Sequence, residues 1–456
     1  MVCLGFVSLG ACLGYPTNAL PQMKNETMAS VNLDDYEGSM FAACFWLSGI
    51  VCAPLGGILS GWLGRRKVLI LTSPFVALGW LIIGLAQNKA MIFIGRVLTS
   101  SALGLQCSSI NVYIAETVHS KIRANLVILP AFFLGFGNLL VWALGYFLQW
   151  RTTSFLLMVP PILLILLIIP LPETPYWLIE DKQGQAARKS LRFFRGKNYD
   201  INEELTEIET KHESKQAAQA QANWKFTMSR IFSFAFFKPF IFGVGILYTV
   251  GEWNGSNSLI VYMISILEET GSNFDSKIGP IVVGCIRVAF AGLAAILINK
   301  FQPKVLYVTC QFLSTIAVCL IGLFAYFREF QPDLPYLQEF SWVPLVMIMT
   351  VITMKAAGIL PVLQTLMAEV YPTEIRTQGI GITQACFLAS GAIGIRLFPE
   401  MKLGIGLYGL CFVYAGFGIL SSLWGLYTIP DNRGKSLVKV EEMYEQHQIS
   451  KSAAQV

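Results

Sequence analysis

Twelve stretches of apolar residues, separated by short polar turns, leave this chain few folds to choose from. They lie near 2–22, 39–60, 68–87, 91–114, 124–147, 153–171, 239–267, 278–298, 304–327, 341–367, 377–398 and 405–429. A helix needs roughly 20 apolar residues to cross the hydrocarbon of a bilayer. With 54% hydrophobic and 13% charged residues and a mean hydropathy of +0.58, a chain of 456 residues is too apolar for a soluble domain. The expected class is all-α: a polytopic membrane protein of twelve transmembrane helices in a six-plus-six layout. One long polar insert follows the sixth stretch. It divides the chain into a first bundle at 1–171, an insert at 172–238, a second bundle at 239–429 and a tail at 430–456.

A short polar pattern occurs once in each half. Ala115-Glu116 is followed seven residues later by Arg123, and Ala368-Glu369 is followed at the same interval by Arg376, 253 positions further along. Each copy sits where an apolar run ends. A repeated Glu and Arg at one membrane edge points to two related halves, each with a charged clamp on the same face.

Orientation follows from the basic residues. With both termini cytoplasmic, the inner loops and tail hold 23 of the 33 Lys and Arg, whereas the outer loops hold six. That asymmetry is the positive-inside pattern. The net charge of +5 then reflects placement at the inner leaflet, not nucleic-acid binding. The sequon Asn25-Glu26-Thr27 falls in the first outer loop, which makes Asn25 a glycosylation candidate. Asn254-Gly255-Ser256 also matches but lies inside a span. All ten cysteines fall in spans, so packed thiols are expected, with no disulfide, no metal site and no cofactor. The first stretch lacks a basic n-region and contains Gly14, Pro16 and Pro21, so it reads as a span and not as a cleaved leader.

Between the second and third stretches runs Gly57-Ile58-Leu59-Ser60-Gly61-Trp62-Leu63-Gly64-Arg65-Arg66-Lys67. This resembles the signature turn of the major facilitator superfamily, except that Gly61 stands where an Asp is usual. Other matches follow in order. Gly95-Arg96, Val112-Tyr113-Ile114-Ala115-Glu116 with Arg123, Pro172-Glu173-Thr174-Pro175-Tyr176-Trp177-Leu178, Glu369 with Pro372 and Arg376, and Pro430-Asp431-Asn432-Arg433-Gly434-Lys435-Ser436-Leu437 all resemble the sugar-porter branch. Within it, the chain looks most like the insect trehalose-facilitator type. The resemblance implies two bundles around a central cavity that opens alternately to either side. Arg65, Arg66, Glu116, Arg123, Glu173, Glu369 and Arg376 would form a salt-bridge network that latches the bundles on the inner face. The insert, with candidate helices at 184–195 and 201–222, resembles the family's intracellular helices. A disordered linker is the alternative, favoured by the low complexity of 216–222.

The cavity is where the chain departs from its family. The paired glutamines usual in span seven are Gly251 and Glu252, although Asn257 and Tyr262 match. Arg287 in span eight aligns with an Asn that faces sugar hydroxyls, and Ala131 in span five replaces a Gln. Span ten keeps Gly358 and Pro361, but Gln364 replaces Trp and Lys355 enters the helix; Phe387-Leu388 stand where Asn-Trp is common in span eleven. Amides and an aromatic platform suit a neutral polyhydroxyl ligand, and most of that equipment is missing. Glu252 and Arg287 are expected to pair, with Lys355 as a third member, because unpaired charges at membrane depth are costly.

Substrate-binding candidates are therefore Glu252, Asn257, Tyr262, Arg287 and Gln364. The resemblance implies a plasma-membrane protein, monomeric in the lipid bilayer, that carries trehalose or a hexose. The first six spans hold no carboxylate away from their ends, which argues for passive movement. Two alternatives stay open: a carrier of a different polar or charged solute, and a transporter-like sensor without turnover. None of the three histidines (His119, His212, His447) lies at membrane depth and no nucleophile-base constellation appears, so no enzymatic activity is expected.

Overall fold

The computed structural model describes residues 1–24, 31–119, 129–196, 199–221, 247–271, 275–370 and 376–429. Those residues are almost wholly helical. The first half consists of span one (Leu4–Lys24), span two (Asp35–Leu63), span three (Arg65–Gly84), span four (Lys89–Thr117), span five (Leu129–Phe147) and span six (Trp150–Leu156 with Val159–Ile168). In the second half, span seven comprises 247–252, Ser256–Val261 and Met263–Glu269. Span eight (Gly279–Lys300), span nine (Pro303–Phe330) and span ten (Val343–Val370) follow. Spans eleven and twelve run together from Arg376 to Thr428 and part only at Gly406, whose φ of 71° is non-helical.

Local chemistry accounts for the ends and breaks. Span two starts at a reciprocal cap, in which the Asp34 carboxylate accepts from the Glu37 amide (2.7 Å) and Glu37 accepts from the Asp34 amide (3.1 Å). Asn88 caps span four by accepting from the Met91 amide at 2.9 Å. Spans eight, nine and ten each carry a proline in the first turn, where no amide hydrogen is needed. Pro160 and Pro161 cannot continue the ladder of the preceding helix, and span six breaks just before them, at Leu157 and Met158. Span ten contains one π-helical turn, Lys355–Ile359, closed by the Leu360 amide donating to the Lys355 carbonyl.

Small residues set how closely the helices cross. Spans one and five meet at Gly10 and Gly137, where a Cβ would strike the carbonyls of Leu134 and Val7. After span six come the helices Pro175–Glu180, Gly184–Arg195 and Asn202–Gln221, the last two at the positions expected within the insert. Trp177, Leu178, Ala187, Leu191, Ile201 and Leu205 form a second core of their own there.

The halves meet toward the end opposite the Gly64-Arg65 turn. Arg396 of span eleven lies 3.9 Å from the ring of Tyr36 at the start of span two. Deeper in, Trp46 packs on Phe387 (5.7 Å between rings) and Leu388 fills the space beside Gly49. Thr17 of span one donates to the Ile260 carbonyl of span seven at 2.9 Å. Toward the turn these helices leave open space beside their glycines: a Cβ on Gly57, Gly61 or Gly381 would touch nothing within 4 Å.

Candidate functional site

A charged and polar cluster forms where span seven loses its helical path. Helix 247–252 ends in a turn at 253–255, and the chain resumes as helix at Ser256. Gly255 makes this possible, because its φ of 82° is a left-handed conformation and a Cβ there would run into the Tyr414 ring. The Asn254 side chain caps the restart, accepting from the Ser256 amide at 3.0 Å. The break brings two side chains five positions apart to the same point: Asn257 Nδ2 donates to Glu252 Oε2. Lys355 Nζ completes the group, 2.7 Å from Glu252 Oε2, 3.0 Å from Ser256 Oγ and 2.9 Å from Asn257 Oδ1. All four residues are buried.

The pair expected between Glu252 and Arg287 is not made; Glu252 pairs with Lys355 instead. Lys355 begins the π turn of span ten, whose extra residue shifts the helical phase of the positions that follow it. An ammonium with three donors also fits three acceptors set around a point, whereas a planar guanidinium suits one carboxylate. Arg287 lies half-buried on span eight and makes no ion pair or hydrogen bond among the described residues.

The remaining candidates are placed apart from this cluster. Tyr262 is stacked on Phe398 of span eleven (4.2 Å, 8° between planes), and its hydroxyl donates to the Ile395 carbonyl at 3.3 Å. Gln364 is exposed on span ten beyond the π turn. Ser256 is a cluster member that the sequence reading did not single out. Its position four residues after Glu252 was the available signal.

At the opposite pole, the charged residues of the first half interlock. Arg65 reaches Glu116 at 2.8 Å and Glu180 at 3.3 Å. The other oxygen of Glu116 accepts from Thr174 at 2.6 Å. Glu173 accepts from the backbone amides of Arg66 (3.0 and 3.1 Å) and Thr174 (3.0 Å), placing a carboxylate on the first turn of span three. The Arg66 guanidinium meets no carboxylate among the described residues. It donates to the carbonyls of Ile168 (3.3 Å) and Ile169. Trp177 donates to the Gly61 carbonyl at 2.8 Å, at the position where the signature turn usually has its acid. These bonds tie the span two–three turn, the exit of span four and the segment after span six into one unit within the first half. Glu180, the second partner of Arg65, was missed because partner choice across 115 positions has no local signature. Asn25 and Arg123 lie outside the described residues, as do the side chains of Glu369 and Arg376.

This arrangement of two helical halves carries a sequence that matches the profile of the sugar (and other) transporter family over residues 6–444. The chain belongs to that family. Among family members it is 29% identical to a facilitated trehalose transporter, Tret1, of Anopheles gambiae over 96% of this chain and 54% of that protein. It is also 29% identical to the Tret1 of Apis mellifera ligustica, over 97% of this chain and 86% of that one. The chain thus spans about half the length of the mosquito relative. Its fold is similar to that of the xylose transporter XylE from E. coli, solved in an inward-open conformation, with a TM-score of 0.78, 20% identity, and 97% and 98% of the two chains covered. Its sugar-transporter fold is therefore the major facilitator fold, a polytopic bundle of membrane-crossing helices. Among the described residues, nine helices are long and apolar enough to cross a membrane, one of them containing both span eleven and span twelve.

Proposed function

We propose that this chain is a facilitative sugar carrier that works by alternating access. The observation that carries the reading is the Glu252–Asn257–Lys355 group. It places a concentrated set of hydrogen-bonding atoms about midway along spans seven and ten, beside the contact of span seven with span one. A soluble solute needs such groups at the depth where hydrocarbon offers none. The names of the relatives make trehalose and glucose the first solutes to test. Movement is passive in this reading, since the described parts of spans one to six contain no carboxylate away from their ends.

The carrier sits as a monomer in the plasma membrane with both termini cytoplasmic, a placement supported by the distribution of Lys and Arg. In this orientation Arg65, Arg66, Glu116 and Glu173 occupy the cytoplasmic end, and Arg123, Glu369 and Arg376 complete a network that holds the halves together there in one state of the cycle. Asn25 carries glycan on the outer side. The unit at 172–238 and the tail at 430–456 are cytoplasmic.

Reconstituted full-length protein tests the proposal by uptake of labelled trehalose, glucose, glucuronate and glucose 6-phosphate at pH 5.5 and 7.5. Saturable uptake of at least one solute, equal at both pH values, is the expected result. Folded protein that moves none of them would sink it.

A further inference from the structure

The charges at mid-depth do not cancel. Glu252 is the one carboxylate there among the described residues, and it is engaged by Lys355 and Asn257. Each of the three ammonium donors of Lys355 has an acceptor. The other described cations away from the span ends are satisfied elsewhere: Arg96 donates to the carbonyls of Phe41 (3.1 Å) and Cys12 (2.9 Å), and Arg396 pairs with Glu400 at 2.9 Å and covers Tyr36. Arg287 is left. It has no ion pair and no hydrogen bond among the described residues, and its helix packs against the π turn that Lys355 begins.

The helix that carries Arg287 shows which way the residue faces. Val282, Cys285, Ala289, Leu293 and Ile296 are exposed and recur at three- and four-residue spacing, which marks the lipid side of span eight. At about 100° per residue, Arg287 lies nearly opposite that stripe. Its neighbours Gly284 and Val288 contact Leu139 and Gly135 of span five, so this face of the helix looks toward the junction of the halves. A guanidinium turned away from lipid, half-buried and without a carboxylate is costly at this depth unless something negative visits it. Its five donors in a rigid fork match a carboxylate or a phosphate in two-point contact.

We infer that Arg287 is a binding group for an acidic sugar: the solute this carrier selects bears a carboxylate or phosphate that pairs with Arg287 alongside the Glu252–Lys355 group. This deepens the transport reading above and rests on it for the movement of the solute, though not for its binding. Glu252 and Lys355 neutralise each other, so Arg287, the one unpaired cation at mid-depth among the described residues, admits one anionic group. An uncoupled carrier of such a solute moves charge, and its uptake must respond to membrane potential.

The test uses purified full-length protein. Binding of glucuronate, glucose 6-phosphate and glucose is measured by calorimetry, and uptake into proteoliposomes is measured with and without an inside-positive potential. Wild type should bind at least one of the two acids about tenfold more tightly than glucose, a difference on the scale of one charge-assisted pair. Arg287→Asn should lose that preference and Arg287→Lys should keep part of it, with both variants folded. Uptake of the acid should rise at inside-positive potential. Glucuronate and glucose 6-phosphate separate the carboxylate source from the phosphate source. Binding of an acid without uptake upholds the acidic-sugar assignment and overturns the transport reading. Glucose uptake with no acid binding does the reverse. Acid binding that Arg287→Asn leaves unchanged overturns the inference. So does glucose binding that needs chloride and loses that need in Arg287→Asn, because an inorganic ion then fills the place. If no solute binds, both readings fall.

Discussion

Lys355 Nζ lies 2.7 Å from Glu252 Oε2 although the two residues are 103 positions apart, and it is the first residue of the π-helical turn in span ten. Both side chains are shielded, with 11% and 3% of their surfaces exposed. Removing one partner leaves an uncompensated buried charge, whereas removing both leaves none. Lys355→Met should therefore destabilise the protein by about 3–5 kcal/mol, and Lys355→Met combined with Glu252→Gln should recover most of that loss. Unfolding midpoints in detergent compare the two. A single variant as stable as the double would show that the pair is not buried in the way described.

Arg65 divides its guanidinium between a shielded partner and a wetter one. Glu116 is 16% exposed at 2.8 Å, while Glu180 is 29% exposed at 3.3 Å. Glu116 also accepts from Thr174, so its loss strands two donors. We expect Glu116→Ala to cost about 2–4 kcal/mol through those stranded donors. Glu180→Ala should cost about 0–1 kcal/mol, the range for exposed pairs. Denaturant titration of the two variants measures the ranking, which reverses if Glu180 is the principal partner.

Gly255 combines a left-handed φ with a wall on its side-chain face. Gly255→Ala should lose roughly 1–3 kcal/mol from the backbone alone, with a further loss from contact with Tyr414. Since this residue sets the angle between Glu252 and Asn257, solute affinity should fall with stability. Conservative Gly416→Ala, at a position where a Cβ meets nothing within 4 Å, serves as the control. Equal behaviour of the two variants would count against a special role for the turn.

Tyr36 and Arg396 join the halves at the end remote from the charged turn. An exposed contact of this kind contributes about 0.5–1 kcal/mol, enough to shift a two-state balance about two- to fivefold. Tyr36→Ala should therefore raise the fraction of molecules open at that end. Spin labels at the exposed positions Gln87 and Leu403, in a background without accessible cysteines, would report a longer distance in the variant. An unchanged distribution would mean that the deeper contacts, Trp46 and Gly49 with Phe387 and Leu388 and Thr17 with Ile260, hold the closure without it.

The apolar helices, the two helices expected after span six and the meeting of Arg65 with Glu116 were legible because each depends on local composition or on ordered motifs. The partner of Glu252 was not. A period of 3.6 residues assigns faces only while the helix is regular, and the π turn at Lys355 and the break at 253–255 both interrupt that period next to the site. Tyr262 shows the same limit. Its match to the family pattern placed it with Asn257 among the binding candidates, yet after the break its ring turns onto Phe398. Three charges on neighbouring spans could be recognised from sequence as needing balance. Which two would pair, and which would remain free, is decided by backbone phase that the residue types do not encode.

The passage from span eleven to span twelve has a mechanical consequence. Helical structure runs from Arg376 to Thr428 and reverses course at Gly406 alone, so there is no slack between the two columns. When span eleven tilts, the elbow passes the torque directly to span twelve. Span twelve in turn is pinned to span nine where Gly418 admits Thr315 and Gly425 admits Tyr307. The lever arm that begins beside Trp46 therefore ends in the heart of the second half, and those helices must swing as one piece.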